Sequence, residues 1–353
     1  MATLPQKLAS TMLLKGLAPR LDSRIGASSE PFDCPEIIAP QINSARWACT
    51  HYGVFIPELP EPYRYLNTMT LIGASGALCF DNDYLVSEDA RRTATVLSST
   101  AHGPEHHYRA YDTSADCQLA EDSSLLQWGD DLTIRCEHPR YALSARYGHM
   151  AVELQVTATQ VVSWFVRSPV CDHFSLLATY TGSIEDANGH TDISGLCTFE
   201  YARYMSPQSL TAKPLPEALK LPVDFFTYQI INLNERTQLL LTDVRAAGVS
   251  ACRLAHLRSL DGDARVFDDV TMEVLGYQSE LAIDPRGRQM RVPAKLRWTV
   301  RENGDDLLHF DADVDSPLRY GHGRGYVGAY TYSGVWNGEP VTGTGYLEWV
   351  DCE

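Results

Sequence analysis

At 353 residues the chain exceeds the size at which a single hydrophobic core stops growing, which points to two domains. Its 29 Lys and Arg against 45 Asp and Glu leave a formal net charge of −16, a field that repels nucleic acid and anionic lipid and excludes both as partners. Hydrophobic residues at 44% suffice for ordinary cores, and no apolar run reaches the roughly 20 residues that span a bilayer, so no membrane insertion is expected.

In chain order, residues 1–40 read as an N-terminal arm. Met1–Leu21 carries short apolar runs broken by Lys7, Lys15 and Pro19, unlike the continuous core of a secretion signal, and suits a short helix or an arm. Residues 41–205 form the first predicted domain. It begins with Trp47–Tyr65, where Pro57, Pro60 and Pro62 suggest an irregular segment, either covering one end of a barrel or simply packed as an arm. Strands with a period of two follow. In Ala151–Ala158, Val152, Leu154 and Val156 face one way while Glu153, Gln155 and Thr157 face the other, the mark of a half-buried antiparallel strand.

Residues 206–222 hold Pro207, Pro214, Pro216 and Pro222 and read as an extended linker. The second domain, 223–353, repeats the alternation: Leu296, Trp298 and Val300 oppose Lys295 and Arg297. Turn pairs such as Asn303–Gly304 and Asn337–Gly338 separate its strands as hairpins require. The nine cysteines are scattered without a CxxC pair, which predicts free thiols, no disulfide and a reducing, cytoplasmic location.

Comparison of the chain with itself finds a tandem repeat. Cys117–Ala120 resembles Cys252–Ala255, Asp130–Ile134 resembles Asp268–Met272, and Glu153–Val156 resembles Lys295–Trp298. Ser168-Pro169 followed by His173 matches Ser316-Pro317 followed by His322. Tyr180-Thr-Gly182 and Gly195–Tyr201 match Tyr332-Ser-Gly334 and Gly343–Trp349. The order is kept and the offset lengthens slowly, as small loop insertions produce. The fold predicted is all-β.

The ending Gly325-Tyr326 … Gly343-Thr-Gly-Tyr-Leu-Glu348 resembles the closing strands of the AttH/CrtC-like proteins, the group of carotenoid 1,2-hydratase. The resemblance implies two tandem lipocalin-like antiparallel β-barrels. It also implies a hydratase, isomerase or cyclase acting without a cofactor on an apolar lipid, terpenoid or steroid-like molecule; the alternative is a carrier of such a ligand. No catalytic residue follows from it.

The residues themselves offer two polar clusters. In Arg319–Tyr326, three glycines let the backbone bend, and Tyr320, His322, Arg324 and Tyr326 share one side if the segment is extended. His322 and Tyr320 are the catalytic candidates, as groups able to protonate an alkene, with Arg324 and Tyr326 beside the ligand. His173 is the counterpart of His322 in the first repeat. The alternative is a Gly-rich hairpin with solvated tips. In His102–Arg109, Gly103 and Pro104 break the helix that a zinc site of the HExxH type needs, so no metal is expected. As a strand, His106 and Tyr108 line one face, as a pocket wall or an exposed edge. His51 is the remaining ligand-binding candidate. The expected site lies inside a barrel or where the two meet.

Overall fold

The computed structural model describes residues 21–86 and 88–352. Residues 1–20, half of the predicted arm, lie outside them. Residues 21–40 pack under the first sheet: a short helix, Arg24–Ala27, precedes Phe32, which is buried against Phe174.

The first sheet begins with β1 (Cys49–Ile56), β2 (Leu66–Gly73), β3 (Thr93–Ser99) and β4 (His107–Asp112). Three short strands follow, β5 (Cys117–Leu119), β6 (Leu126–Trp128) and β7 (Leu132–Glu137). The longer β8 (Arg140–Arg146), β9 (Met150–Ser168), β10 (Cys171–Asp186) and β11 (Gly189–Tyr204) complete it. Every chain neighbour pairs antiparallel except β4 and β5, and β11 returns to pair with β1, so the 11 strands form a nearly closed up-and-down barrel.

The second sheet repeats the plan. It opens with β12 (Val223–Asn232), β13 (Thr237–Ala246), β14 (Val249–Ser259), β15 (Ala264–Phe267) and β16 (Val270–Tyr277). A separate hairpin, β17 (Ala282–Ile283) and β18 (Gln289–Met290), leads to β19 (Pro293–Glu302) and β20 (Asp305–Val314). Last come β21 (Arg319–His322), β22 (Gly325–Trp336) and β23 (Glu339–Asp351). Here β23 returns to β12, and the gap falls between β15 and β16. The expected pair of lipocalin-like β-barrels is the architecture found.

Local chemistry explains the hairpins. Asn303 and Asn337 adopt φ of 54° and 52°, and the glycines after them 89° and 82°, so both Asn-Gly pairs turn the chain in the left-handed conformation. The alternation in β9 holds: Val152, Leu154 and Val156 are buried while Glu153, Gln155 and Thr157 are exposed.

Two expectations are corrected. Trp47–Tyr65 is not irregular throughout, because Cys49–Ile56 is the first strand of the sheet, paired with both β2 and β11. The prolines that suggested otherwise lie in the loop after it. The repeat is real but partly misregistered. Counted from the closing pair, β9 corresponds to β20, and glycines prove it: a Cβ on Gly182 would strike the Glu153 carbonyl, and one on Gly334 the His309 carbonyl. Glu153 therefore answers to His309, not Lys295. Likewise Cys117 lies in β5, whereas Cys252 lies in β14, the third strand of its sheet. The short apolar matches had slipped by whole strands.

The two sheets meet face to face. Tyr52, Val54 and Ile56 of β1 enter the first core, while Phe55, with Tyr65, Met69 and Leu97, joins the core of the second sheet. β1 and β12 are consequently buried on both faces. The segment 206–222 is not a free tether. Leu221 bridges to Ala77, and the buried Lys220 ammonium lies 2.8 Å from Asp81 and 2.5 Å from Asp83. Among the described residues no helix is long and apolar enough to cross a membrane, and all nine cysteines are free.

Candidate active site

The outward faces of the closing strands build a polar cluster between the sheets. Glu200 sits on β11 opposite Gly53 of β1, and Glu348 sits on β23 opposite Tyr228 of β12. They are equivalent positions of the repeat: Tyr180 faces Gly195 five residues before Glu200, as Tyr332 faces Gly343 five before Glu348. Gly53 has no side chain where the second sheet carries Tyr228, and the Phe55 ring and the His51 imidazole fold over it. The Tyr228 hydroxyl donates to Glu200 Oε1.

Histidines flank both acids. His173 Nε2 is 3.6 Å and His51 Nε2 4.0 Å from Glu200 Oε2. His322 Nε2 is 3.1 Å from Glu348 Oε2, and the Tyr346 hydroxyl donates to Glu348 Oε1 at 2.9 Å. Aromatic rings form the walls. Phe80 and Phe226 lie 5.3 and 5.2 Å from the His322 ring, and Phe165 lies 4.7 Å from His173.

The hydrogen-bond partners assign the protons. His322 Nδ1 is 2.8 Å from the Met69 sulfur, which can only accept, so Nδ1 carries the hydrogen. Burial lowers the His322 pKa to about 3, so the ring is neutral and Nε2 presents a lone pair to Glu348. Nε2 is 3.1 Å from Glu348 Oε2 and completes no hydrogen bond. Burial, then the charge of Glu200, pushes that carboxyl well above its ordinary range. His51 follows the same logic: Nδ1 donates to the Thr70 carbonyl at 2.8 Å, and burial lowers the ring to about 4.

A counter-ion stands behind Glu200. Arg258 of β14 is 1% exposed and is held by the Gln238 side chain at 2.6 Å and the Ser175 carbonyl at 2.9 Å. Burial lowers its pKa to about 10 against the opposing pull of Tyr228 and Glu200. Arg258 thus lies within electrostatic reach of Glu200, and among the described residues no Lys or Arg forms an ion pair with Glu348. The cluster holds two buried carboxyls in different surroundings, and burial raises that of Glu348 well above its ordinary range.

The candidates named from sequence separate into groups. His322, His51 and His173 reach this cluster. Tyr320, His322, Arg324 and Tyr326 do not share one side. The chain turns at Gly321 (φ 144°) and Gly323 (φ 59°), which sends Arg324 to Asp81 at 2.6 Å and Glu217 at 2.8 Å. Nor is the segment a solvated tip, since Tyr320 and His322 are buried. Tyr320 and Tyr326 instead face each other across the hairpin and meet Tyr108, while His106 Nε2 is 2.7 Å from the Tyr320 carbonyl oxygen.

Glu200, Glu348, Tyr228 and Arg258 were missed. The glutamates were legible as the shared acid of the two repeat endings, and Glu348 was quoted in the motif without being weighed as an acid. Arg258 had no signal, because its partners are distant in sequence. Inside the second sheet, a cavity lined by Leu233, Leu257, Phe267 and Trp336 measures about 10 Å³, room for a water at most.

Residues 69–353 match a family described as a family of unknown function, DUF6670. No curated protein matches the sequence. Among solved structures, NE1406 of Nitrosomonas europaea, assigned as an AttH, is 14% identical over 92% of this chain and 97% of its own, with a TM-score of 0.59. Kievitone hydratase from Nectria haematococca is 12% identical over 92% and 96%, with a TM-score of 0.57. CghA, solved with Sch210972, is 11% identical over 87% and 89%, with a TM-score of 0.51. At such identities the likeness establishes a shared fold, the tandem barrel of AttH/CrtC-like proteins.

Proposed function

The chain belongs to the DUF6670 family, and we propose that it is a hydratase- or isomerase-type enzyme that moves protons on an apolar, unsaturated small molecule. The observation that carries this reading is the buried pair of Glu200 and Glu348, each flanked by histidine and tyrosine, with burial raising the Glu348 carboxyl well above its ordinary range. Glu348 is the acid that protonates a double bond. Glu200, with His51 and His173 beside it, takes a proton from the adjacent carbon in an isomerase or from an attacking water in a hydratase. The Tyr346 hydroxyl, which donates to Glu348 Oε1, fixes its orientation, and His322 lies beside it. Because its ring is held neutral by burial, it is a poorer proton donor than Glu348. The aromatic walls stabilise the cation that protonation creates, and exclusion of water strengthens every charge in the site. The shared barrel of a protein named a hydratase supports the reading.

The test is proton exchange. The full-length protein is incubated in D₂O with terpenoid, steroid and fatty-acyl alkenes, and products are read by mass spectrometry for deuterium or added water. Glu348→Gln should lower the rate by about 10²–10⁴-fold with an unchanged circular dichroism spectrum. Compounds that bind and emerge unlabelled would instead support a carrier.

A further inference from the structure

We propose that Tyr84, Tyr108, Tyr320 and Tyr326 form a recognition subsite for a neutral, hydrogen-bond-accepting oxygen, a carbonyl or ether, borne by an apolar ring system. The cluster lies beside the carboxyl pair and is built by both sheets: Tyr108 comes from β4, Tyr320 and Tyr326 from the β21–β22 hairpin, and Tyr84 from the turn Asp83–Leu85. Their rings touch, with centroids 5.4 Å apart for Tyr320 and Tyr326, 5.9 Å for Tyr108 and Tyr320, and 6.4 Å for Tyr84 and Tyr320.

The hydroxyls are the reason to assign a ligand. The oxygens of Tyr108, Tyr320 and Tyr326 are buried and none has a hydrogen-bond partner of good geometry; Tyr84 offers its single hydroxyl to Tyr108 and Tyr320 as a long contact, and Tyr326 has no such neighbour. Each unpaired buried hydroxyl costs about 1–3 kcal/mol. Packing alone would be served as well by phenylalanine, which the neighbouring Phe80 and Phe226 supply. Burial raises the pKa of all three phenols, so they remain donors at neutral pH.

The charges nearby select the kind of oxygen. Asp284 acts on Tyr84, Tyr320 and Tyr326 and is itself paired with Arg288 at 2.7 Å. With Asp284 balanced by Arg288, the subsite offers an anion no net positive charge to offset the loss of its water, so a carboxylate or phosphate ligand is disfavoured.

The position relative to the carboxyls rests on the proton-transfer reading. Tyr320 precedes His322 by two residues and Tyr84 follows Phe80 by four, so the same two segments serve both clusters.

Binding of 2-acetylnaphthalene and of 2-ethylnaphthalene, which lacks the oxygen, is measured by calorimetry on the full-length protein. Wild type should prefer the ketone by about tenfold, the worth of one good hydrogen bond. Tyr320→Phe combined with Tyr326→Phe should erase the preference while leaving the melting temperature unchanged or raised. No preference in wild type would overturn the proposal. So would a lowered melting temperature in the double variant, which would mean the hydroxyls bond within the protein. Glu348→Gln should keep the preference, and its loss there would also count against a separate subsite. A kept preference with no proton exchange anywhere would sink the enzyme reading and leave the subsite standing.

Discussion

Glu200 and Glu348 occupy the same place in their two sheets, yet their surroundings differ. The difference is Arg258 behind Glu200, whose side chain is fixed by Gln238 and by the Ser175 carbonyl of the other sheet. Removing it should cost about 3–5 kcal/mol in Arg258→Ala, because Glu200 is left a buried, unbalanced anion. Adding Glu200→Gln should return part of that loss in urea unfolding, and strict additivity would show that the two do not interact.

The protonation states also set how stability follows pH. His322 and His51 titrate at about 3 and about 4 when folded, against 6.5 ordinarily, so the unfolded chain takes up their protons first as the pH falls. Their contribution is complete above about 6.5 and is lost on the way down through 4 and 3. Glu348 is raised above 4.5, so its contribution is complete below that value and is lost as pH rises through its folded pKa. In thermal melts, His322→Gln should flatten the acid limb alone and Glu348→Gln the alkaline limb alone. Curves parallel to wild type in both variants would refute the assignment. His322 could be singled out from a glycine-rich polar run, but its proton state depends on Met69, a contact no local pattern contains.

At the scale of strands, period-two alternation exposed every half-buried element and concealed the doubly buried ones. In β1, Thr50, His51, Tyr52 and Gly53 are all buried, so no alternation marks them, and the nearby prolines suggested a loop. In β12 the run Phe225–Ile231 is continuously buried for the same reason. These strands build the site, which is why the fold was legible earlier than the chemistry. Equivalent glycines carry the repeat more faithfully than short apolar matches, since each is required by a carbonyl of the neighbouring strand. Gly182→Ala and Gly334→Ala should therefore destabilise by similar amounts, on the order of 1–3 kcal/mol each, by forcing that strand aside. Chemical unfolding that finds one costly and the other neutral would undo the correspondence of β9 with β20.

The whole molecule raises the question of whether its two barrels are separable. Their connection exposes Leu210 and Leu219 at 87% and 61%, so a broad-specificity protease such as subtilisin should nick the chain between them. Nicking should not part the halves. Phe55, Tyr65, Met69, Leu97 and Phe165 of the first sheet lie within the apolar core of the second, and separating the sheets would return them to water. The polar groups argue the same way. Tyr228 would leave Glu200, Arg258 would lose the Ser175 carbonyl, and Lys220 holds Asp81 and Asp83 from the far side of the cut. Donors and acceptors that satisfy each other only across the interface make each barrel alone a poor solution, since it would hold buried charges without partners. The nicked protein should therefore elute as one species from a sizing column under native conditions. It should also unfold in a single transition in urea, and proton exchange should survive the cut. Two fragments eluting apart, each still folded, would mean that the barrels are independent and that the carboxyl pair is not the site that joins them.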